Sequence, residues 1–354
     1  MLKSGYDMPD YVVVSHRDLL EFARECFRRV GVPEEDAGII ADHLVLANLR
    51  GVDSHGVIRI PYYIEGVEKG YVRARSEIRI LRETRATALI DGGGGLGIPV
   101  AVKAIRLGIE KAKSGGIAVV SVRNLGHVGM LAYYTLKITE QKLIGLVTAN
   151  APARVAPWGG AEPVFGTNPI SLGFPAKEKP IIIDMATSVI ADFKIKLAAL
   201  KGEKIPEGVA LDKSGKPTVD PKEALEGCLL PFGAYKGYSF SLIVEVLSAV
   251  LSGGSLSKQI IRHPSTQGGF FVMILDPTAF RSYREYEADL DRLLDFIRGC
   301  PPAHGFEKVL LPGEPEDKVY RRRLEEGIPV DSATWRLLAE TSAKLGVGMP
   351  RPKS

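Results

Sequence analysis

The chain has 354 residues, 45% of them hydrophobic and 25% charged, which gives room for about two or three domains with a substantial core and excludes a largely disordered protein. Forty-six basic residues against 42 acidic ones leave a formal net charge of +4, too small for a nucleic-acid footprint, and the Arg321–Arg323 run sits among acids as a solvated helix face would. Cys26, Cys228 and Cys300 form no CxxC, which excludes a cysteine zinc site and a disulfide framework and fits a reduced cytoplasmic setting. The first twenty residues read as neither signal peptide nor membrane span.

In chain order, "SHRDLLEFARECFRRVGV" predicts a helix capped by Ser15 and ending near Gly31. "PEEDAGIIADHLVLANLRGV" predicts a second, with Pro33 and three acids in its first turn, and "IRIPYYIEGVEKGYV" a shorter third. From about Ile78 the pattern alternates. Strands "ATALIDG" and "IAVVSVRN" flank the helix "AVKAIRLGIEKAKSGG", followed by a helix near "MLAYYTLKITEQK" and the strand "IGLVTANA". A long irregular segment leads into "ISLGFPA" and "PIIIDMATS". Then come a short helix in "KPTVDPKEALEG", the apolar helix "SFSLIVEVLSAVLSGG" and the buried strand "FFVMILDP". The tail from Tyr283 predicts charged amphipathic helices broken by "LLPGEPED".

Four strings carry residues suited to chemistry. In "RGVDSHGVIRIPYY", His55 lies between Ser54 and Gly56, and Arg59 follows four residues later. An imidazole that moves a proton near pH 7, beside a guanidinium that grips a carboxylate, is what keto-acid reduction needs. A capping turn beside a surface arginine has the same sequence. "RNLGHVGMLAYY" puts His127 in a glycine-bracketed turn at a strand end, where α/β folds hold ligands, or where a structural loop histidine sits. "IIIDMATS" offers backbone N–H groups and the Thr187 and Ser188 hydroxyls to an anion after a strand ending at Asp184, or else a capped helix start. In "LLPFGAYKGYSFS", Gly233 and Gly237 bracket Tyr235 and Lys236 ahead of a helix, so the lysine either reaches a phosphate or faces solvent. His16 and His43 fall on polar helix faces, and His263 and His304 on loops. No histidine or carboxylate spacing suits a metal, and neither a G-x-S-x-G elbow nor a P-loop lysine is present.

Gly92, Gly94 and Gly97 fit the dinucleotide pattern G-x-G-x-x-G. Pro99 argues against it, because proline favours the first helical position and so predicts a helix start at Ile98 or Pro99, with Gly97 outside. The next strand also ends in Arg123 and Asn124 instead of a ribose-binding acid. The run reads as a tight strand-to-helix turn.

"LRGVDSHGVIRIPYYIEGVEKG", "LIDGGGGLG", "NLGHVGMLAYY", "GTNPISLGFP", "DMATS", "KIPEGVALDKSGKPTVDP" and "LLPFGAYKGY" occur in the order seen in the malate/L-lactate dehydrogenase type 2 family. From about residue 12 to 345 the chain resembles that family, its archaeal malate and sulfolactate branch above all. The resemblance implies an α/β, non-Rossmann dehydrogenase whose large mixed sheet binds NAD or NADP, with NAD favoured. It implies a helical domain of residues 1–77 joined by 316–354, a cofactor and substrate domain of 78–315, and a cytoplasmic homodimer. The implied substrate is a small 2-keto or 2-hydroxy acid of the malate, lactate or sulfolactate type. His55 resembles the proton donor with Ser54 beside it, Arg59 the carboxylate-binding group with Tyr63 near it, and His127 the second active-site histidine, with Asn150 lining the same site. Cofactor contacts are implied at Pro180, Ile181, Ile182, Ile183, Asp184, Met185, Ala186 and Thr187, at Tyr235 and Lys236, and at Gly313 and Glu314, with Thr167 to Pro169 shaping that pocket. Val128 replaces the usual aromatic, Ala151 stands where a relative has lysine, and "AYKGYSFS" replaces a more glycine-rich string. A reductase of a cyclic imine 2-carboxylate and a catalytically silent nucleotide-binding relative are the alternative readings.

Overall fold

The structure is a computed structural model and describes residues 11–353. In chain order, β1 (Tyr11–Val14), α1 (His16–Arg29), α2 (Glu34–Leu49) and α3 (Arg59–Glu68) precede β2 (Arg79–Glu83), β3 (Thr87–Gly95), α4 (Gly97–Gly115) and β4 (Ile117–Leu125). Next come α5 (Ala132–Thr139), β5 (Ile144–Asn150), β6 (Ile170–Phe174), β7 (Ile181–Met185), α6 (Asp192–Lys201) and β8 (Ala210–Leu211). Then follow α7 (Pro221–Glu226), β9 (Cys228–Leu229), α8 (Tyr235–Glu245), β10 (Gly269–Leu275) and α9 (Tyr283–Arg298). The last elements are α10 (Glu314–Glu326), β11 (Ile328–Asp331) and α11 (Ser332–Leu345). Two compact units result: the residues up to Gly70 together with those from Glu314, and Tyr71–Gly313.

The first unit is helical. Ser15 caps α1 as its sequence predicts, accepting the Asp18 N–H at 3.1 Å, and Leu19, Phe22, Ala23, Cys26 and Phe27 form the buried stripe. β1 pairs antiparallel with β11, from Tyr11 opposite Asp331 to Val14 opposite Ile328. Each of these strands has four residues, too short for the helical reading of these ends to reveal it. α2 buries most of its surface, packing against α1 and α10. The face of Glu35 and Asp42 stays exposed, whereas His43, expected on a polar face, is fully buried.

The second unit is built on a seven-stranded mixed sheet, ordered β2-β3-β4-β10-β5-β6-β7. β3 and β4 are parallel, joined through α4, and the other neighbouring pairs are antiparallel. β10 lies between β4 and β5 and buries Phe270, Phe271, Val272 and Ile274, as its unbroken apolar run requires. The ends of β4 and β5, with His127 just beyond one and Asn150 on the other, thus flank the start of β10.

The glycine run departs from its expected form. β3 extends through Gly95 and α4 starts at Gly97, so Gly97 is inside the helix and Pro99 is its third residue. Proline fits there because first-turn N–H groups lack intrahelical acceptors. The glycines form a bulged strand end, with a register shift between Asp91 and Gly95 and φ of +63° at Gly93 and +69° at Gly94. Their bare backbone is covered by the protein itself. A Cβ on Gly93 would lie 2.5 Å from the Glu77 carbonyl oxygen, one on Gly95 would collide with Ser76, and one on Gly97 with the Gly126 carbonyl.

Candidate active site

In the first unit, α2 ends at Leu49 and the chain makes a short 3-10 turn, Asp53–His55, before α3 begins at Arg59. Ser54 lies at its centre and touches both candidates. Its hydroxyl is 2.9 Å from His55 Nδ1, and its carbonyl accepts the Arg59 Nε–H at 2.6 Å. One residue therefore sets the orientation of the imidazole and the guanidinium together. His55 is half-buried. Burial first, then the charge of Arg59 and that of His43, push its pKa down to about 3, so the imidazole is neutral at pH 7. Tyr63, on α3, is buried, and desolvation holds its phenol above the ordinary range against the opposing effect of Arg59.

The turn is braced from two directions. Asn48 donates from Nδ2 to Asp53 Oδ1 at 2.6 Å and accepts the Val57 N–H on Oδ1 at 2.8 Å, so it holds both sides of His55. Gly56 is required by that approach, since a Cβ there would collide with the Asn48 amide. From α10, Arg323 grips the Asp53 carboxylate in a two-pronged pair of 2.6 and 3.0 Å and also donates to the Asn48 carbonyl at 2.5 Å. Asp317 pairs with the buried Arg50 at 2.7 Å. The expected solvated face of the Arg321–Arg323 run is corrected at Arg323, whose side chain is only 12% exposed because α10 lays it against the end of α2. Asn48, Asp53 and Arg323 were missed in the sequence. The available signal was Asn48 itself, an amide inside the apolar run "LVLANL" that demands a partner when buried.

In the second unit, the His127 turn is held by main chain. The His127 N–H donates to the Ser265 carbonyl at 2.8 Å, Gly126 bridges to Thr266, and the Gly129 N–H donates to His127 Nδ1 at 3.2 Å. With Nδ1 as acceptor, the neutral ring carries its proton on Nε2. Asn150 is fully buried: its Nδ2 donates to the Ser255 carbonyl at 3.0 Å and its Oδ1 accepts the Gly269 N–H at 2.8 Å. Its own carbonyl accepts from Gln267 Nε2. The segment Ser265–Gly269 thus ties the His127 turn to Asn150. Asn150 is joined to the buried Glu245, whose carboxylate also accepts from Asn168, Ser257 N–H and Ser257 Oγ at 2.8, 2.6 and 2.7 Å.

The expected cofactor residues gather on one sheet edge and one helix start. Ile181, Ile182, Ile183, Asp184 and Met185 form β7, the edge strand, with Pro180 just before it and Ala186 just after. Gly313, at φ +89°, comes so close that a Cβ would lie 3.2 Å from the Ile182 carbonyl, and Glu314 then opens α10 in the other unit. Tyr235 and Lys236 are exposed at the first two positions of α8, after Ala234 at φ +60°. Asp184 accepts the Ala132 N–H at 2.8 Å where α5 begins. The expected hydroxyl offer of Thr187 and Ser188 is corrected: Thr187 Oγ1 donates to the Thr167 carbonyl and accepts from Ser241, and Ser188 Oγ donates to the Ile190 carbonyl. Among the described residues, no helix is long and apolar enough to cross a membrane, and no group of three or more His, Cys, Asp or Glu has the geometry for a metal.

The chain is 42% identical to the L-sulfolactate dehydrogenase of Methanocaldococcus jannaschii over 92% of its own length and 95% of that protein. The solved structure of that enzyme superposes with a TM-score of 0.89 over 95% of this chain and 98% of the other. The malate dehydrogenase of Pyrococcus horikoshii is 38% identical over 98% and 99% of the two chains, and its structure gives a TM-score of 0.90. The delta1-piperideine-2-carboxylate reductase structure from Pseudomonas syringae is 31% identical, with a TM-score of 0.83 over 93% of this chain and 99% of that one. The profile of the malate/L-lactate dehydrogenase family matches residues 14–339, and this chain belongs to that family.

Proposed function

We propose that this chain is a nicotinamide-dependent dehydrogenase that interconverts a small 2-hydroxy acid and its 2-keto acid, of the malate, lactate or sulfolactate type. The observation that carries the reading is the double grip of Ser54, which sets a proton-transferring imidazole beside a carboxylate-binding guanidinium. In the oxidative direction neutral His55 removes the hydroxyl proton, and in the reductive direction it returns that proton to the substrate oxygen. Arg59 holds the carboxylate through charge-assisted hydrogen bonds, which fixes the reacting carbon. His127, protonated on Nε2, donates to the substrate oxygen or an adjacent polar group. Asn150, occupied within the protein, acts by holding the loop behind His127.

The residues present fit a nicotinamide dinucleotide. Gly313 lets the chain ahead of α10 run close against Ile182 on the β7 edge, and Lys236, exposed in the first turn of α8, offers its ammonium to a phosphate. When bound, the nicotinamide exchanges hydride with the substrate's second carbon. Asp184, a carboxylate on the same edge strand, disfavours an added phosphate, so NAD is proposed over NADP. The non-Rossmann reading is supported by the single parallel strand pair and by the glycine run being covered by Ser76 and Glu77. A homodimer is proposed as well: Leu242, Ile243, Val246, Val250 and Leu251 are exposed on and just after α8, an apolar surface of the kind that marks interfaces. A cytoplasmic setting is supported by Cys26, Cys228 and Cys300 forming no disulfide.

The test is a purified-enzyme panel of oxaloacetate, pyruvate, sulfopyruvate and piperideine-2-carboxylate, followed by NADH and NADPH absorbance. Turnover of a keto acid with NADH is the expected outcome. Exclusive turnover of the cyclic imine would establish the reductase reading instead, and no turnover of any would leave the silent nucleotide-binding relative.

A further inference from the structure

The turn that carries His55 is short, polar and only partly buried, yet it is fixed more firmly than a capping loop needs. Asp53, at its start, is bound by three donors from two elements: Asn48 Nδ2 at 2.6 Å, and Arg323 Nη1 and Nη2 at 2.6 and 3.0 Å. Val57, just past its end, donates to the other end of the same Asn48 amide. Arg323 closes the arrangement by donating to the Asn48 carbonyl, so the three side chains form one connected clamp around residues 53–57. Between its two jaws stands Ser54, whose hydroxyl and carbonyl hold His55 and Arg59. Any displacement of Asp53 is therefore passed to both groups at once.

We propose that Arg323, acting through Asp53 and Asn48, is a positioning residue for proton transfer by His55 and carboxylate binding by Arg59. This rests on the reading of His55 and Arg59 as the reacting pair. The guanidinium fork is essential to the proposal: only a planar group meets both Asp53 oxygens and the Asn48 carbonyl together, and a lysine ammonium supplies a single point of charge. Misplacement of reacting groups by about 1 Å costs on the order of 10²-fold in rate, so the clamp acts on turnover even though it touches neither substrate nor cofactor.

The experiment compares R323Q, R323K, R323A, D53N, H55A and the double variant R323Q/H55A in keto-acid reduction, with NADH affinity measured separately by fluorescence titration. The expected result is a fall in kcat of roughly 10- to 100-fold for R323Q and D53N, NADH affinity within about twofold of the parent, and a smaller fall for R323K. In the H55A background the residual rate is expected not to change when R323Q is added, because a positioning group has nothing left to position. Free guanidinium is expected to restore part of the turnover of R323A, which a general packing defect would not allow. If R323Q does not fold, D53N and R323K decide, since D53N is isosteric with the native side chain and R323K keeps its charge. Parent-like kcat in D53N or R323Q beside an inactive H55A overturns the clamp. So does a loss that appears equally in NADH affinity and thermal stability. Turnover that survives H55A is a separate failure, of the reading of His55 itself.

Discussion

The two histidine turns solve the same mechanical problem with different materials. The His55 turn is held by side chains, chiefly an ion pair between residues 270 positions apart in the chain. The His127 turn is held by main-chain hydrogen bonds and glycines, with Ser265 and Gly129 as its principal partners. Ion pairs weaken with added salt and fail when one partner is neutralised; backbone hydrogen bonds do neither. The difference also sets the chemistry. Burial, then the charges of Arg59 and His43, keep His55 neutral at pH 7, and the Gly129 N–H leaves the proton of a neutral His127 ring on Nε2.

Breaking the first turn has the largest expected effect. H55A should lower kcat by about 10²–10⁴-fold with NADH binding kept, as read by steady-state kinetics and fluorescence titration. R59Q comes next. Losing charge-assisted hydrogen bonds of about 1.5–3 kcal/mol should lower kcat/KM for the keto acid by roughly 10- to 100-fold. The same change removes a positive charge beside His55 and so raises its pKa. The acid limb of hydroxy-acid oxidation, set by that base, should therefore move to higher pH in R59Q, and an unmoved limb would contradict the coupling. H127N should cost less, about 3- to 10-fold in kcat/KM, as a neutral hydrogen bond of about 0.5–1.5 kcal/mol requires. The smallest effect is on stability. The unfolded chain takes up a proton on His55 near its ordinary value of 6.5, and the folded one only near about 3. The stabilisation is therefore complete above pH 6.5 and lost as pH falls from 6.5 towards about 3. Urea titrations at pH 7 and pH 5 should show a smaller acid loss in His55→Ala than in the parent.

The comparison also marks what a sequence makes visible. α1, α3, α4, β4, β5, β10 and the charged helices near the C-terminal side follow from apolar spacing and caps, since those patterns are local. β1 and β11 do not, because each is four residues long and stabilised by the other across more than three hundred positions. His55 and Arg59 stood out by type and spacing, and Ser54 only as their neighbour. What turns three residues into an apparatus, the Ser54 carbonyl and the Asn48–Asp53–Arg323 clamp, depends on contacts that no window of sequence contains. Arg323 was misread for that reason: its neighbours in sequence are acids facing solvent, while its neighbours in space are Asp53 and the end of α2. The glycine run shows the opposite error. A local motif predicted a turn, and the chain's own Ser76 and Glu77 fill the space above a bulged strand.

The pairing of β1 with β11, and of Asp53 with Arg323, has a consequence for how the molecule comes into being. During synthesis, the His55 turn leaves the ribosome long before the segment that fastens it. Until α10 and β11 have emerged, Asp53 has no arginine, β1 has no partner strand, and the helices of the first unit lack part of their cover. The intervening Tyr71–Gly313 unit has its own sheet and core and can fold while the first waits. The clamp around the His55 turn thus closes only after α10 has been made, some 270 positions later.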